Sequence, residues 1–342
     1  MAKKKKKVAV KGPDSVGTKQ RPVHTEILVR PIHRGVNDIG SWRSALRLAD
    51  LGNRTKLYDL FTDLLIDGYL SDAIDKRIDA VTDADLAFTI DGKQVDEMDA
   101  LMDTPEFESL LREIMLSRFW GVSLVECLFL DGFGFKSIPR KHIRTKTKEI
   151  AIREEDEHGI PYADNDLIIQ FGSDDDFGIL LRAAPFVIYK RGGFGDWAQF
   201  VELFGMPQRI GKYSSMDEQS RRALIQAFEE AGSAPYLVIP KETEATQTTL
   251  SSSGNGALYN DFRNACNEEI LITVLGQTMT TQDGSSLAQG QVHMAVQEKK
   301  HRADRRFVER MLNKYFVPLL EKRGYPAGGG RFKFLDLSLI HI

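Results

Sequence analysis

Apolar residues recur along most of this chain at spacings of three and four, the pattern of helices with one buried face. Leu57, Leu60, Phe61, Leu64 and Leu65 form one stripe, and Ala73, Ile74 and Ile78 another. Thr104-Pro105-Glu106 predicts a helix start, with a hydroxyl cap, proline at the first helical position and an acid in the first turn. Phe107, Leu110, Leu111, Ile114 and Met115 then keep helical spacing up to Gly121. Trp197, Phe200, Val201 and Phe204 make a further face, stopped by Gly205 and Pro207. Ser215-Met216-Asp217-Glu218 reads as a capping box opening a helix through Ala223, Leu224, Ala227 and Phe228, ended by Gly232. Ser251 to Gly256 reads as a flexible loop, before a helix marked by Leu258, Phe262, Cys266 and Ile270 and closed by Gly276. The last predicted helix runs from about Leu287 to Val317, with Val296, Ala303, Phe307, Met311 and Tyr315 on one face and Pro318 as its limit.

Shorter apolar runs predict strands. They are Val122 to Leu130, turned at Asp131-Gly132, then Leu167 to Phe171, and Tyr236 to Ile239 between Pro235 and Pro240. Thr246 to Leu250 is the expected partner of the last. Helices and strands alternate irregularly, so the expected class is α+β. A length of 342 residues predicts about two domains.

Charge changes sign along the chain. Residues 1–22 carry eight Lys/Arg against Asp14 and read as a disordered basic tail, either a solubilising arm or one that seeks phosphates. Residues 50–108 hold sixteen acids and five bases, a net charge of −11. Such a surface repels DNA at short range and suits a solvated face. Lys136, Arg140, Lys141, Arg144, Lys146 and Lys148 follow without an acid between them. They read as an exposed hairpin, or as a charged contact to DNA or a second subunit. From Leu287 to Arg323 nine Lys/Arg face four acids, a basic outer face for the last helix. The chain as a whole carries −3, which excludes a globally basic nucleic-acid coat.

The search for chemistry returns little. Cys127 and Cys266 lie in apolar-periodic stretches and read as inert buried thiols. Neither a phosphate-binding P-loop nor a G-x-S-x-G elbow occurs. Gly192-Gly193-Phe194-Gly195 reads as a backbone break. His293 and His301 lie about 80° apart around a helix and roughly 12 Å along it, which does not chelate one ion. Asp174, Asp175 and Asp176 read as a solvated acidic turn rather than a cation site. No enzyme, cofactor or metal is expected. No apolar run is long enough for a bilayer, and Lys3 to Lys7 lack a following apolar stretch, so the chain is expected to fold in a reducing cytoplasm.

The block Asp196-Trp197-Ala198-Gln199-Phe200-Val201-Glu202-Leu203-Phe204-Gly205-Met206-Pro207-Gln208-Arg209-Ile210-Gly211-Lys212-Tyr213 resembles the signature of the Mu-like bacteriophage portal protein family. A second similar block is Leu275-Gly276-Gln277-Thr278-Met279-Thr280-Thr281-Gln282, followed by Ala288-Gln289-Gly290-Gln291-Val292-His293. Weaker similarity runs through Gly121 to Glu126 and Ile138 to Ile143. The resemblance covers roughly residues 30–335.

The resemblance implies a non-catalytic ring of about twelve subunits at one vertex of a phage head. Double-stranded DNA passes through its channel without sequence preference. The implied partners are a terminase, head-completion or connector proteins, and capsid or scaffold proteins. The implied location is the virion head vertex, with assembly in the host cytoplasm. The implied layout after the tail at 1–22 is a wing at 23–185, stem helices at 186–232 with a clip at 205–215, and returning wing elements at 233–275. A tunnel loop at 276–286 and a long helix towards a crown at 287–336 follow. A helical hairpin around the clip suits the stem, whose first helix either starts at Asp196 or is kinked by the glycines before it.

Gln277, Thr278, Thr280, Thr281, Gln282, Ser285 and Ser286 are the implied channel-facing residues, polar but unable to trap phosphates. Lys299, Lys300, Arg302, Arg305 and Arg306 are candidates for contact with DNA or a neighbouring subunit. Trp197, Phe200, Glu202, Gly205, Pro207, Gly211, Lys212 and Tyr213 carry the signature. The final Leu337 to Ile342 match one frame of a transposon sequencing adapter, so these residues are expected to be non-native and the crown absent. The alternatives are a different head or tail ring protein, or a DNA-processing enzyme. The enzyme would need a carboxylate cluster for two-metal chemistry.

Overall fold

The structure is a computed structural model and describes residues 22–31, 38–129, 132–204, 209–214, 217–230, 236–241, 252–277 and 287–335. The helices and strands follow in chain order as α1 (Ile39–Asp50), α2 (Thr55–Leu64), α3 (Gly68–Thr82), β1 (Leu86–Ile90), β2 (Lys93–Gln94), α4 (Asp96–Met102) and α5 (Pro105–Trp120). Next come β3 (Val122–Leu128), β4 (Gly134–Ile138), β5 (Ile143–Arg144), β6 (Glu149–Ile150), β7 (Ile160–Pro161) and β8 (Ile168–Gly172). The rest are α6 (Leu180–Phe204), β9 (Arg209–Tyr213), α7 (Glu218–Glu230), β10 (Tyr236–Pro240), α8 (Ser252–Leu275), α9 (Leu287–Met311), α10 (Val317–Lys322) and β11 (Arg331–Phe334). The chain is thus α+β, as its pattern predicts.

It divides into two units. One comprises residues 1–187 and 268–342, the other residues 188–267, and the boundaries fall inside α6 and α8.

The larger unit is built on the apolar stripes. Leu57, Phe61 and Leu64 of α2, Leu70 and Ile78 of α3, and Leu110 and Ile114 of α5 are fully buried. Thr104 caps α5 by accepting the Phe107 amide at 3.3 Å, and Pro105 occupies the first turn, as expected. Gly121 ends the helix at φ +89, and its Cα faces the Asp176 carbonyl so closely that a Cβ would lie 2.1 Å away. β3 lies between β4 and β8 in an antiparallel sheet.

Chain closure comes from the far end. β11 pairs antiparallel with β1, Phe88 opposite Phe332. Phe332 stacks on Phe107 at 5.6 Å and meets Phe88 edge-on at 4.8 Å. The Asn313 side chain donates to the Phe332 carbonyl at 2.9 Å and accepts its amide at 2.8 Å. Pro318 does not limit the last helix as expected. A π-helical turn at Leu312–Phe316 widens the backbone beforehand, and α10 then carries Pro318 in its first turn. Proline lacks the N–H that an α-helix would give to the Lys314 carbonyl, and that carbonyl lies in the widened turn.

The smaller unit departs further from expectation. No simple helical hairpin joins α6 to α7, because Arg209–Tyr213 between them is a strand. β9 pairs in parallel with β10, and α7 is the crossover. The partner of Tyr236–Pro240 is therefore this strand, while Thr246 to Leu250 lie outside the described residues. The cap of α7 is Asp217, whose Oδ1 accepts the Ser220 amide at 3.0 Å, rather than Ser215. Ser215 itself lies outside the described residues. The expected loop at Ser251 to Gly256 is from Ser252 the start of α8. The glycines at 192, 193 and 195 do not break α6, which runs through them. Gly193 is fitted against α8, since a Cβ there would lie 2.9 Å from Phe262.

Candidate functional site

The basic stretch Lys299 to Arg306 of α9 is anchored by its one acid, Asp304. Asp304 is completely buried and takes two guanidinium groups. Arg77 donates Nε to Oδ2 at 2.8 Å and Nη2 to Oδ1 at 2.6 Å, and Arg118 donates Nη1 to Oδ1 at 2.7 Å. The third Arg77 donor, Nη1, reaches the Val274 carbonyl at 2.9 Å. This group joins α3, α5, α8 and α9. Its charge-assisted bonds satisfy a carboxylate that would otherwise be costly to bury.

The five basic candidates on α9 do not form one solvent stripe. Lys299, Arg302 and Arg306 are exposed. Lys300 is half-buried, and its Nζ donates to the Val274 carbonyl at 3.2 Å. Burial first, then the positive charge of Arg77, bring its pKa down to about 8. Arg305 pairs with Glu298 and reaches the Ala80 carbonyl at 3.5 Å. His301 is half-buried near Glu298, and burial lowers its pKa.

Of the channel-facing candidates only Gln277 lies within the described residues. It is 4% exposed, and its Nε2 donates to Gln297 Oε1 at 2.8 Å, so its amide is engaged within the chain. Thr278, Thr280, Thr281, Gln282, Ser285 and Ser286 lie outside the described residues.

Two of the signature residues, Trp197 and Phe200, belong to an aromatic cluster in the smaller unit. Trp197 lies parallel to Tyr259 at 6.4 Å between centroids and stacks on Phe194 at 6.1 Å. Phe200 meets the same Tyr259 at 5.8 Å. A Cβ at Gly211 would lie 2.9 Å from Phe228, so glycine lets α7 close on β9. Lys212 is exposed, and the Tyr213 carbonyl accepts the Lys241 amide at 2.7 Å. The side chain of Glu202, with Gly205 and Pro207, lies outside the described residues.

The basic run at 136–148 is mostly spent inside the chain, contrary to its reading as an exposed hairpin. Arg140 pairs with Glu113 and stacks over Trp120, and Lys141 pairs with Asp59. Arg144 donates to three backbone carbonyls at 2.7 to 2.9 Å. Lys148 holds the Asp174 carboxylate at 2.6 Å, so the acidic turn is not simply solvated. Lys136 is exposed. Both cysteines are buried and outside any disulfide, and desolvation pushes Cys127 up to about 12. Among the described residues no His/Cys/Asp/Glu group is placed to hold a metal, and no helix is long and apolar enough to cross a membrane. Sequence reasoning missed the Arg77–Asp304–Arg118 group. The available signal was Asp304 itself, the single acid in Lys299 to Arg306.

A family model described as "Portal protein of Mu bacteriophage" matches residues 58–338. The chain belongs to that family. The portal match encloses the signature block, residues 276–286 and all of α9. The portal protein of Escherichia phage Mu is 29% identical over 140 residues, 40% of this chain and 27% of that protein. The Mu-like prophage FluMu protein gp29 of Haemophilus influenzae is 29% identical over 124 residues, 35% of this chain and 24% of that protein. The chain thus spans about a quarter of the length of these curated portal relatives. A crystal structure of an HK97-family phage portal protein from Corynebacterium diphtheriae aligns at 15% identity, with 82% of this chain and 96% of that chain covered and a TM-score of 0.44.

Proposed function

We propose that this chain is the portal subunit of a Mu-like phage or prophage head. It assembles into a closed ring of about twelve copies at one head vertex. Double-stranded DNA enters and leaves through the ring's channel. A terminase docks there during packaging, and head-completion or connector proteins follow. The role is structural rather than catalytic. The observation that carries this reading is the family match over residues 58–338.

The chemistry of the chain supports it. A conduit must touch DNA without holding it, because each neutralised phosphate adds affinity through counterion release. The segment 277–286 carries hydroxyls and amides, with Asp283 as its only charge. Lys300 and Arg305, basic in sequence, are committed to partners inside the chain. We assign 23–185 and 233–275 to a wing, 186–232 to a stem and clip, and 276–286 to a tunnel loop. The strand at 209–213 then gives the clip a sheet. The test is particle mass by light scattering with negative-stain images. Rings of about a dozen copies around a central hole are expected. A chain that stays monomeric at assembly concentrations overturns the reading.

A further inference from the structure

A cavity of about 510 Å³ lies over the buried Asp304 group in the larger unit. Five cations line it, Arg77, Arg118, Arg182, Lys300 and Arg310, with one carboxylate, Asp176, while Asp304 is buried behind Arg77 and Arg118. Both carboxylates are already engaged. Asp304 holds Arg77 and Arg118, and Asp176 Oδ1 accepts the Gly178 amide at 2.8 Å. Arg182 and Arg310 are exposed and have no carboxylate partner among the described residues. Arg118 is about a third exposed, and its guanidinium also lies over the Phe307 ring at 5.2 Å. The cavity therefore has an unanswered positive charge. Burial and like-charge neighbours already disfavour the ammonium of Lys300. An entering anion relieves that repulsion.

The same unit presents the complementary surface. Around the α4–α5 corner, Asp96, Glu97, Asp103, Glu106 and Glu108 are exposed and have no ion-pair partner among the described residues. Asp72 and Asp75 of the same region are by contrast paired, with Lys76 and Arg112. The corner and the cavity belong to one compact unit, yet no ion pair joins them within it. A different copy of the chain is needed to bring them together. A DNA duplex is far wider than the cavity and would touch only its rim.

We propose that this cavity is an anion site that receives carboxylates from the α4–α5 corner of a second copy. The contact is head-to-tail, each copy offering its corner to one neighbour and its cavity to the other, which is the geometry that closes a ring. The inference rests on the ring-forming reading and specifies where its subunits meet.

The test uses two charge-reversed chains. One carries Arg182→Glu and Arg310→Glu, the other Glu106→Lys and Glu108→Lys, all at exposed positions. Light scattering should find each alone at the monomer mass of 38.5 kDa. Mixed in equal amounts they should co-assemble into rings of alternating copies, because the unaltered corner of one meets the unaltered cavity of the other and the reversed cavity meets the reversed corner. A chain with all four substitutions should regain assembly. If either reversed chain alone forms rings like the wild type, or the mixture does not co-assemble, the inference falls while the ring reading stands. A wild-type chain that never assembles overturns both. If the cavity-reversed chain assembles normally but loses binding of inorganic phosphate or duplex DNA, the cavity is a phosphate site and the inference is likewise overturned.

Discussion

Asp304 shows how much one side chain can hold. It is wholly buried, and its charge is met by Arg77 from 227 residues earlier and by Arg118 from 186 residues earlier. The two arginines are not equivalent. Arg77 is 3% exposed with all its bonds inside, whereas Arg118 is 31% exposed and stays partly hydrated. Truncating the acid strands the Arg77 guanidinium without a counter-charge. Asp304→Ala should therefore cost about 3–5 kcal/mol of stability, read from urea unfolding. A loss below about 1 kcal/mol, the size of an exposed pair, would mean that the group is not the anchor described.

Glycines decide which elements continue and which turn. At Gly121 the chain leaves α5 at φ +89 and passes the Asp176 backbone, with no room for a Cβ. Gly121→Ala meets both backbone strain and a backbone clash, and should cost more than about 4 kcal/mol, enough to deplete folded protein in a thermal melt. Gly192 is the opposite case. It sits inside α6 at ordinary helical angles with nothing within 4 Å of a built Cβ. Gly192→Ala should stabilise the chain by about 0.5–1 kcal/mol, because alanine has less backbone entropy to lose. A destabilised Gly192→Ala would mean that α6 does bend there.

At the scale of the whole molecule the distribution of charge matters more than its sum. The −3 total conceals an acidic corner, a cation-lined cavity and a polar segment at 277–286 with a single charge, Asp283. On the proposed reading these serve separate ends, the first two joining copies and the third facing DNA. Adding charge to the loop should convert sliding contact into binding. Thr280→Lys with Thr281→Lys should steepen the salt dependence of duplex binding by about 0.9 in log K per log salt for each lysine that reaches a phosphate. Duplex titrations over a salt series measure it. An unchanged slope would place the loop away from the DNA path.

Much of this organisation is already present in the linear chain, because helices are written locally. The stripes of α2, α3 and α5, the Thr104 cap and the stop at Gly121 depend on residues three and four apart, and the structure reproduces them. The two matching blocks likewise point to the portal family without reference to any contact. Tertiary structure alone decided the rest. Arg209–Tyr213 becomes a strand because β10 runs parallel beside it, more than 20 residues later. Gly192 to Gly195 stay helical in an element that packs Gly193 against Phe262, and Pro318 is carried by a π turn rather than ending the last helix. The sign of each charge is fixed by residue type. Whether that charge meets water, a carbonyl or an opposite charge depends on which distant segment folds against it. For this reason Lys141 and Arg144 end in internal bonds, while the acids of the α4–α5 corner stay exposed.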